Sequence, residues 1–199
     1  PTGPDVLSDV SVHLPDGTRV AVVGETGSGK TTFAKLVTRL LDPTGGWVLI
    51  GGVPLNRVRF ASLRRRVAFV PQEGFLFDTT VGGNVRYGRP EATDAELRAA
   101  FEELGLSDWL EQLPAGMDTP VGERGGRLSV GERQLVALVR AWVADPDLLV
   151  LDEATSAVDP ALEVRLRRAI ERLTAGRTSI TVAHRLSTAE AADEVLVFE

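Results

Sequence analysis

The sequence predicts an α/β fold: a mainly parallel sheet with helices packed on it, an inserted α-helical lobe, and a partial antiparallel β subdomain. Three observations lead there. Short apolar, β-branched runs alternate with amphipathic helical segments over most of the chain, the order that builds a parallel sheet covered by helices. The interval from Glu73 to about Arg133 breaks that alternation with helical pattern and glycine-rich loop. The chain has 199 residues, 43% hydrophobic and 25% charged, which is room for one domain with a lobe inserted in it.

The first strand is expected at Arg19–Val23, followed by the loop Gly24–Gly29 and a helix from Lys30 to Leu41. Trp47–Ile50 reads as a strand closed by Gly51-Gly52, and Val67–Val70 as another stopped by Pro71. His13 lies in the alternating segment Val10–Leu14 and is expected on a surface strand. Thr93 is placed to cap a helix over Asp94–Leu104. In Glu132–Val143 the apolar residues Leu135, Leu138, Val139 and Trp142 share one helix face. Leu148–Leu151 is a continuous strand-length run after an Asp-Pro-Asp turn, and Pro160–Leu173 is a helix with proline in its first turn. Thr178–Val182 and Glu194–Phe198 complete the strands.

Composition removes several chemistries. The chain contains no cysteine, so disulfides, thiolate zinc sites and cysteine nucleophiles are excluded. No apolar run approaches the ~18–20 residues that span a bilayer, and nothing at the N-terminus reads as a secretory leader. Net charge is −6, and Lys30 and Lys35 are the only lysines. The one basic run, Arg64–Arg66, sits between Leu63 and Val67 and reads as a solvated face rather than a nucleic-acid footprint. No nucleic-acid partner is expected.

Three segments carry chemistry. Gly24-Glu25-Thr26-Gly27-Ser28-Gly29-Lys30-Thr31 fits G-x-x-x-x-G-K-[ST] between a strand and a helix. Its glycines let backbone N–H groups turn toward phosphates, and the helix start adds its positive dipole end. Lys30 would reach the β- and γ-phosphates, and the Thr31 hydroxyl, followed by Thr32, would ligate Mg2+. Leu148–Leu151 ends in Asp152-Glu153. At the C-terminal end of a parallel strand Asp152 would hold Mg2+ through water, and Glu153 could orient and polarise a water. Leu128-Ser129-Val130-Gly131-Glu132 opens the long helix. As local structure Ser129 and Glu132 form a capping box; as a site, the same helix start could bind a phosphate. Gln72 and His184 follow strands, where ligands of open α/β sheets gather. Either could be structural or catalytic.

Together these segments resemble the nucleotide-binding domain of an ABC transporter. The order matches: phosphate loop at 24–31, glutamine at 72, signature at 128–132, acidic strand at 148–153, Ser156-Ala157-Val158-Asp159 as the D-loop and His184 as the switch histidine. Phe75-Leu76-Phe77 with Val81 and Asn84-Val85-Arg86-Tyr87-Gly88, and Thr119–Gly125 before the signature, resemble the exporter branch. The resemblance implies a P-loop NTPase core over residues 1–72 and 134–199, with a helical lobe at 73–133 carrying the signature. It also implies ATP and Mg2+ as ligands. Thr31, Gln72 and Asp152 would stand at the metal, Glu153 would act as general base, and His184 would contact the γ-phosphate. Two such domains would pair head to tail, each lending Ser129 and Gly131 to its partner's ATP. They would drive a fused or associated transmembrane domain from the cytoplasmic face of the cell membrane.

Three features depart from the pattern. No Tyr, Phe or Trp precedes the phosphate loop, so the adenine-stacking aromatic is expected upstream of Pro1. The chain stops directly after a strand, and the domain is expected to continue past Glu199. The signature reads Leu-Ser-Val-Gly-Glu rather than Leu-Ser-Gly-Gly-Gln. Val130 adds a β-branched side chain and Glu132 an acid where a phosphate would lie, while Glu153 and His184 are intact. This combination implies a partner domain of different sequence, with a homodimer that tolerates the variant signature as the alternative. The alternatives are a soluble ATPase of the same superfamily, in DNA maintenance or translation, and an ATP-binding regulatory domain with little turnover.

Overall fold

The computed structural model describes residues 6–152, 159–183 and 186–199. The chain divides into two compact units. One comprises Pro1–Phe69, Asp147–Glu153 and Gly176–Glu199, the other Val70–Pro146 and Ala154–Ala175.

The first unit contains β1 (Arg19–Gly24), α1 (Lys30–Val37), β2 (Leu49–Ile50), β3 (Val53–Pro54), α2 (Phe60–Arg66), most of β4 (Val67–Val70), and β5 (Leu148–Asp152). In chain order α3 to α6 lie between β4 and β5, and α7 follows β5; all belong to the second unit. The first unit closes with β6 (Thr178–Val182), α8 (Leu186–Glu190) and β7 (Glu194–Phe198). The main sheet runs β4-β5-β6-β1-β7, and β1 lies parallel to both β6 and β7, as β5 does to β6. Val20, Val22, Val150, Ile180 and Val182 are buried in its core with Phe33 and Ala34 of α1. β1 and β5 carry continuous apolar runs, Val20–Val23 and Leu148–Leu151, as strands buried on both faces do. β2 and β3 form a separate antiparallel pair, the expected antiparallel addition to the parallel sheet.

Three local expectations need correction. α1 ends at Val37, not Leu41. The Thr38 hydroxyl donates to the Ala34 carbonyl at 2.8 Å, Arg39 turns left-handed at φ 53°, and the Leu40 N–H returns to the Lys35 carbonyl, closing the helix end. The Trp47–Ile50 strand shrinks to Leu49–Ile50. Gly51 and Gly52, at φ 56° and 76°, make a two-residue hairpin turn, and Pro54 has no N–H with which to extend the ladder. Val10–Leu14 is not a strand and His13 is exposed in irregular chain. Val10 and Val12 both remain exposed, so nothing buries the alternation.

An exposed ion pair fastens the start of β1. The Asp193 carboxylate accepts from the Arg19 backbone N–H at 2.9 Å, from Nε at 3.1 Å and from Nη2 at 2.7 Å. These bonds push Asp193 down to about 2. An unfolded aspartate titrates near ~4, so the stabilisation is complete above that pH and is lost as pH falls toward 2. Asp193→Asn is therefore expected to lower the denaturation midpoint modestly at pH 7. The gap to wild type should close between about pH 4 and pH 2, read from unfolding curves across that range.

The second unit is helical: α3 (Val81–Arg86), α4 (Asp94–Glu103), α5 (Ser107–Gln112), α6 (Val130–Ala144) and α7 (Pro160–Thr174). α6 packs on α3, α4 and α7. Its Leu135, Val136, Leu138 and Val139 are buried, as are Val81 and Val85 of α3, Leu97 and Phe101 of α4 and Leu166 of α7. Thr93 caps α4 in a full capping box with Glu96, and Pro160 opens α7 behind an Asp159 cap. A Cβ at Gly88 would fall 2.2 Å from the Arg140 carbonyl of α6, so only glycine permits that approach.

Candidate nucleotide site

β1 runs directly into the glycine loop. Gly24 has φ 147°, and a Cβ there would fall 2.0 Å from the Phe198 carbonyl. Gly29, at φ 95°, would push a Cβ to 2.5 Å from Leu7. The loop therefore needs glycine at both ends. Gly29 caps α1 without any side-chain bond, which leaves the leading N–H groups of that helix available to an anion.

Lys30 follows, almost fully buried at 5% exposure. Its ammonium donates to the Gly24 carbonyl at 2.7 Å and the Glu25 carbonyl at 2.6 Å, spanning the loop. The Ser28 hydroxyl is buried and makes no hydrogen bond among the described residues. The Thr31 hydroxyl donates to Asp152 Oδ2 at 3.4 Å. Asp152 is itself buried, and its Oδ1 has no hydrogen-bond partner among the described residues. Thr32 stands half-buried beside Thr31.

A hydroxyl and a carboxylate with an unmatched buried oxygen are hard oxygen donors. They fit Mg2+, which takes one or two protein ligands and completes its shell with water and phosphate oxygens.

The second unit carries the other site residues. Gln72 is exposed, and its backbone carbonyl accepts from Gln134 Nε2 of α6 at 2.7 Å. Ser129 caps α6 in a complete capping box. The Glu132 N–H donates to the Ser129 hydroxyl oxygen at 3.3 Å, and Glu132 Oε2 accepts from the Ser129 N–H and hydroxyl, each at 2.8 Å. Gly131 is buried in the first turn. The indole N–H of Trp109, in α5, donates to Glu132 Oε1 at 3.3 Å. Burial pushes the Glu132 carboxyl up, but the bonds from Ser129 and Trp109 outweigh it and hold the group below its ordinary value.

The structure thus joins Gly24–Gly29, Lys30, Thr31 and Asp152 within the first unit. It sets Gln72, Ser129 and Gly131 within the second. Glu153, His184 and Ser156–Val158 lie outside the described residues. Trp109 escapes sequence reasoning, because a contact across 23 residues between two helices leaves no local pattern.

Three exposed aromatics form a further feature of the helical unit. Phe77 stacks on Tyr87 with centroids 4.3 Å apart and meets Phe75 edge-on at 5.2 Å. The Arg140 guanidinium lies 5.9 Å from the Phe77 ring.

Comparison with known proteins gives consistent results. The ABC transporter family profile matches residues 7–156. An ATP-dependent lipid A-core flippase of Ralstonia nicotianae is 43% identical over 202 residues, covering 100% of this chain and 34% of the flippase. A fatty acid ABC transporter ATP-binding/permease protein of Mycobacterium bovis is 44% identical over 197 residues, covering 99% of this chain and 31% of that protein. The structure of a bacterial Atm1-family ABC exporter with ATP bound superimposes with a TM-score of 0.88 at 42% identity, covering 98% of this chain and 34% of that one. The chain spans about a third of the length of these relatives.

Proposed function

The chain belongs to the ABC transporter family, and from that premise we propose that it is the ATP-binding and hydrolysing motor domain of an exporter. The observation that carries this is the convergence of Lys30, Thr31 and the unmatched Asp152 oxygen around one glycine loop. Loop N–H groups and Lys30 would bind the β- and γ-phosphates of ATP. Thr31 and Asp152, with Gln72, would hold Mg2+, which when bound would neutralise charge on the same phosphates. Glu153 would accept the proton of the attacking water, and His184 would hold the γ-phosphate.

The domain would pair head to tail with a second nucleotide-binding domain, each supplying Ser129 and Gly131 to the other's ATP. The degenerate signature beside intact Glu153 and His184 favours a partner of different sequence. That partner would carry an unaltered signature and a changed glutamate or histidine. Closing and reopening of the pair would move a transmembrane domain, fused or associated, at the cytoplasmic face of the membrane. No described helix of this chain is long and apolar enough to cross a membrane, and relatives about three times longer leave room for such a domain elsewhere. The exposed Phe75, Phe77 and Tyr87 surface suits contact with it, since such stacked rings bury well at interfaces.

Glu153→Gln tests the assignment. In the full-length protein this substitution is expected to leave ATP affinity near wild type, reduce turnover at least about a hundredfold, and accumulate a nucleotide-loaded pair on size-exclusion chromatography. Wild-type turnover would remove Glu153 from the mechanism.

A further inference from the structure

The Glu132 carboxylate receives three donors: the Ser129 N–H, the Ser129 hydroxyl and the Trp109 indole N–H. Trp109 is buried beside Phe101, ring centroids 6.2 Å apart, so its N–H direction is set by packing. An ionised carboxylate only accepts hydrogen bonds. The single Ser129 hydroxyl proton is therefore spent on Glu132, one lone pair takes the Glu132 N–H, and a lone pair is what remains to face outward. A glutamine side chain at the same position would behave differently. Its oxygen could accept the Ser129 N–H while its amide donated to the Ser129 oxygen, freeing the hydroxyl proton. Exchanging one carboxylate oxygen for an amide thus allows the polarity that Ser129 presents to reverse.

We propose, on the exporter reading above, that Glu132 turns the Ser129 hydroxyl into an acceptor, so that this chain grips its partner's nucleotide loosely. Trp109 is the positioning residue that keeps Glu132 in that role. Two further features act in the same direction. The carboxylate places negative charge at the helix end where a phosphate would be drawn, and Val130 is 40% exposed at the first position of α6.

The test is steady-state ATPase activity against ATP concentration, using the full-length transporter with its partner. Glu132→Gln is expected to lower KM for ATP by about tenfold, the worth of one regained charge-assisted hydrogen bond. Ser129→Ala is expected to cost about tenfold more in KM when combined with Glu132→Gln than when made alone, a coupling that a purely structural cap would not give. Trp109→Phe keeps the buried ring and removes only the N–H. It should lower KM in the same direction by a smaller factor, with kcat little changed. An equal cost of Ser129→Ala in both backgrounds, or an unchanged or raised KM in Glu132→Gln, overturns the proposal. A Trp109→Phe enzyme identical to wild type removes Trp109 from it. Failure of the ATP-hydrolysis reading on which the inference rests looks different: Lys30→Ala would then retain full turnover, and the inference would fall with it.

Discussion

Lys30→Ala is expected to lower the ATP affinity of the full-length protein by at least about a hundredfold and to abolish measurable turnover. The ammonium has three donors. Two are held by the Gly24 and Glu25 carbonyls, which fixes the side chain across the loop and leaves the third for phosphate oxygens. Alanine removes the cation, its phosphate contact and both ties that shape the loop. A single hydrogen bond to a charged group is worth about 1.5–3 kcal/mol, so losing the phosphate contact and the loop's preorganisation together readily exceeds a factor of about one hundred. Lys30→Arg should not rescue, because a planar guanidinium demands room that a side chain only 5% exposed does not leave. Calorimetric titration with ATP reads the outcome directly, and near-normal affinity in Lys30→Ala would overturn the assignment of the loop.

The largest effect on stability is expected at Asn84. Its side chain is fully buried and uses its whole hydrogen-bonding capacity. Oδ1 accepts from the Phe77 N–H and from Arg140 Nη2, both at 2.9 Å, and Nδ2 donates to the Phe77 and Thr80 carbonyls, both at 3.0 Å. Arg140 also donates to the Asn84 carbonyl at 2.9 Å and the Phe75 carbonyl at 3.1 Å. Alanine would leave the Phe77 N–H and Arg140 Nη2 without their acceptor, while the Phe77 and Thr80 carbonyls would keep the bonds from the Thr79 and Asn84 N–H groups. The orphaned N–H and the bond lost from a charged group cost about 1–3 kcal/mol each, so Asn84→Ala should lose about 2–5 kcal/mol, a large share of the ~5–15 kcal/mol that holds a typical domain. Urea unfolding of the variant against wild type measures it. A loss below about 1 kcal/mol would mean that water replaces the amide there.

These two residues differ in how far the sequence announces them. Lys30 belongs to a spacing that dictates its own geometry, because glycines, lysine and hydroxyl all act within one turn of chain. The Ser129–Glu132 and Thr93–Glu96 caps are equally local, and their side chains meet as their three-residue spacing requires. Asn84 instead meets an arginine 56 residues away, and Trp109 meets Glu132 from another helix. Nothing in the composition around either marks the contact. The strand expected at His13 fails for the converse reason. Alternation in Val10–Leu14 is a local signal, but a strand also needs a partner and a core, and Val10 and Val12 have neither. α1 stops short because Arg39 adopts a left-handed turn that helix propensity does not foresee.

The strand order has a temporal consequence. Arg19 of β1 pairs with Ser179 of β6, and Val20 with Glu194 of β7, so the strand that feeds the phosphate loop meets its neighbours only about 160 residues after it is made. At the ~5–20 residues per second of protein synthesis, β1 would wait roughly 8–30 s on the ribosome without a ladder. The intervening Val70–Pro146 block of the helical unit is contiguous and rich in short-range contacts that form fast. Assembly during translation should therefore begin in the middle of the chain. The glycine loop, although it precedes the helical block in the sequence, would be among the last parts to acquire its shape, and nascent chains released before β6 would present β1 as an unpaired apolar strand for chaperones or aggregation.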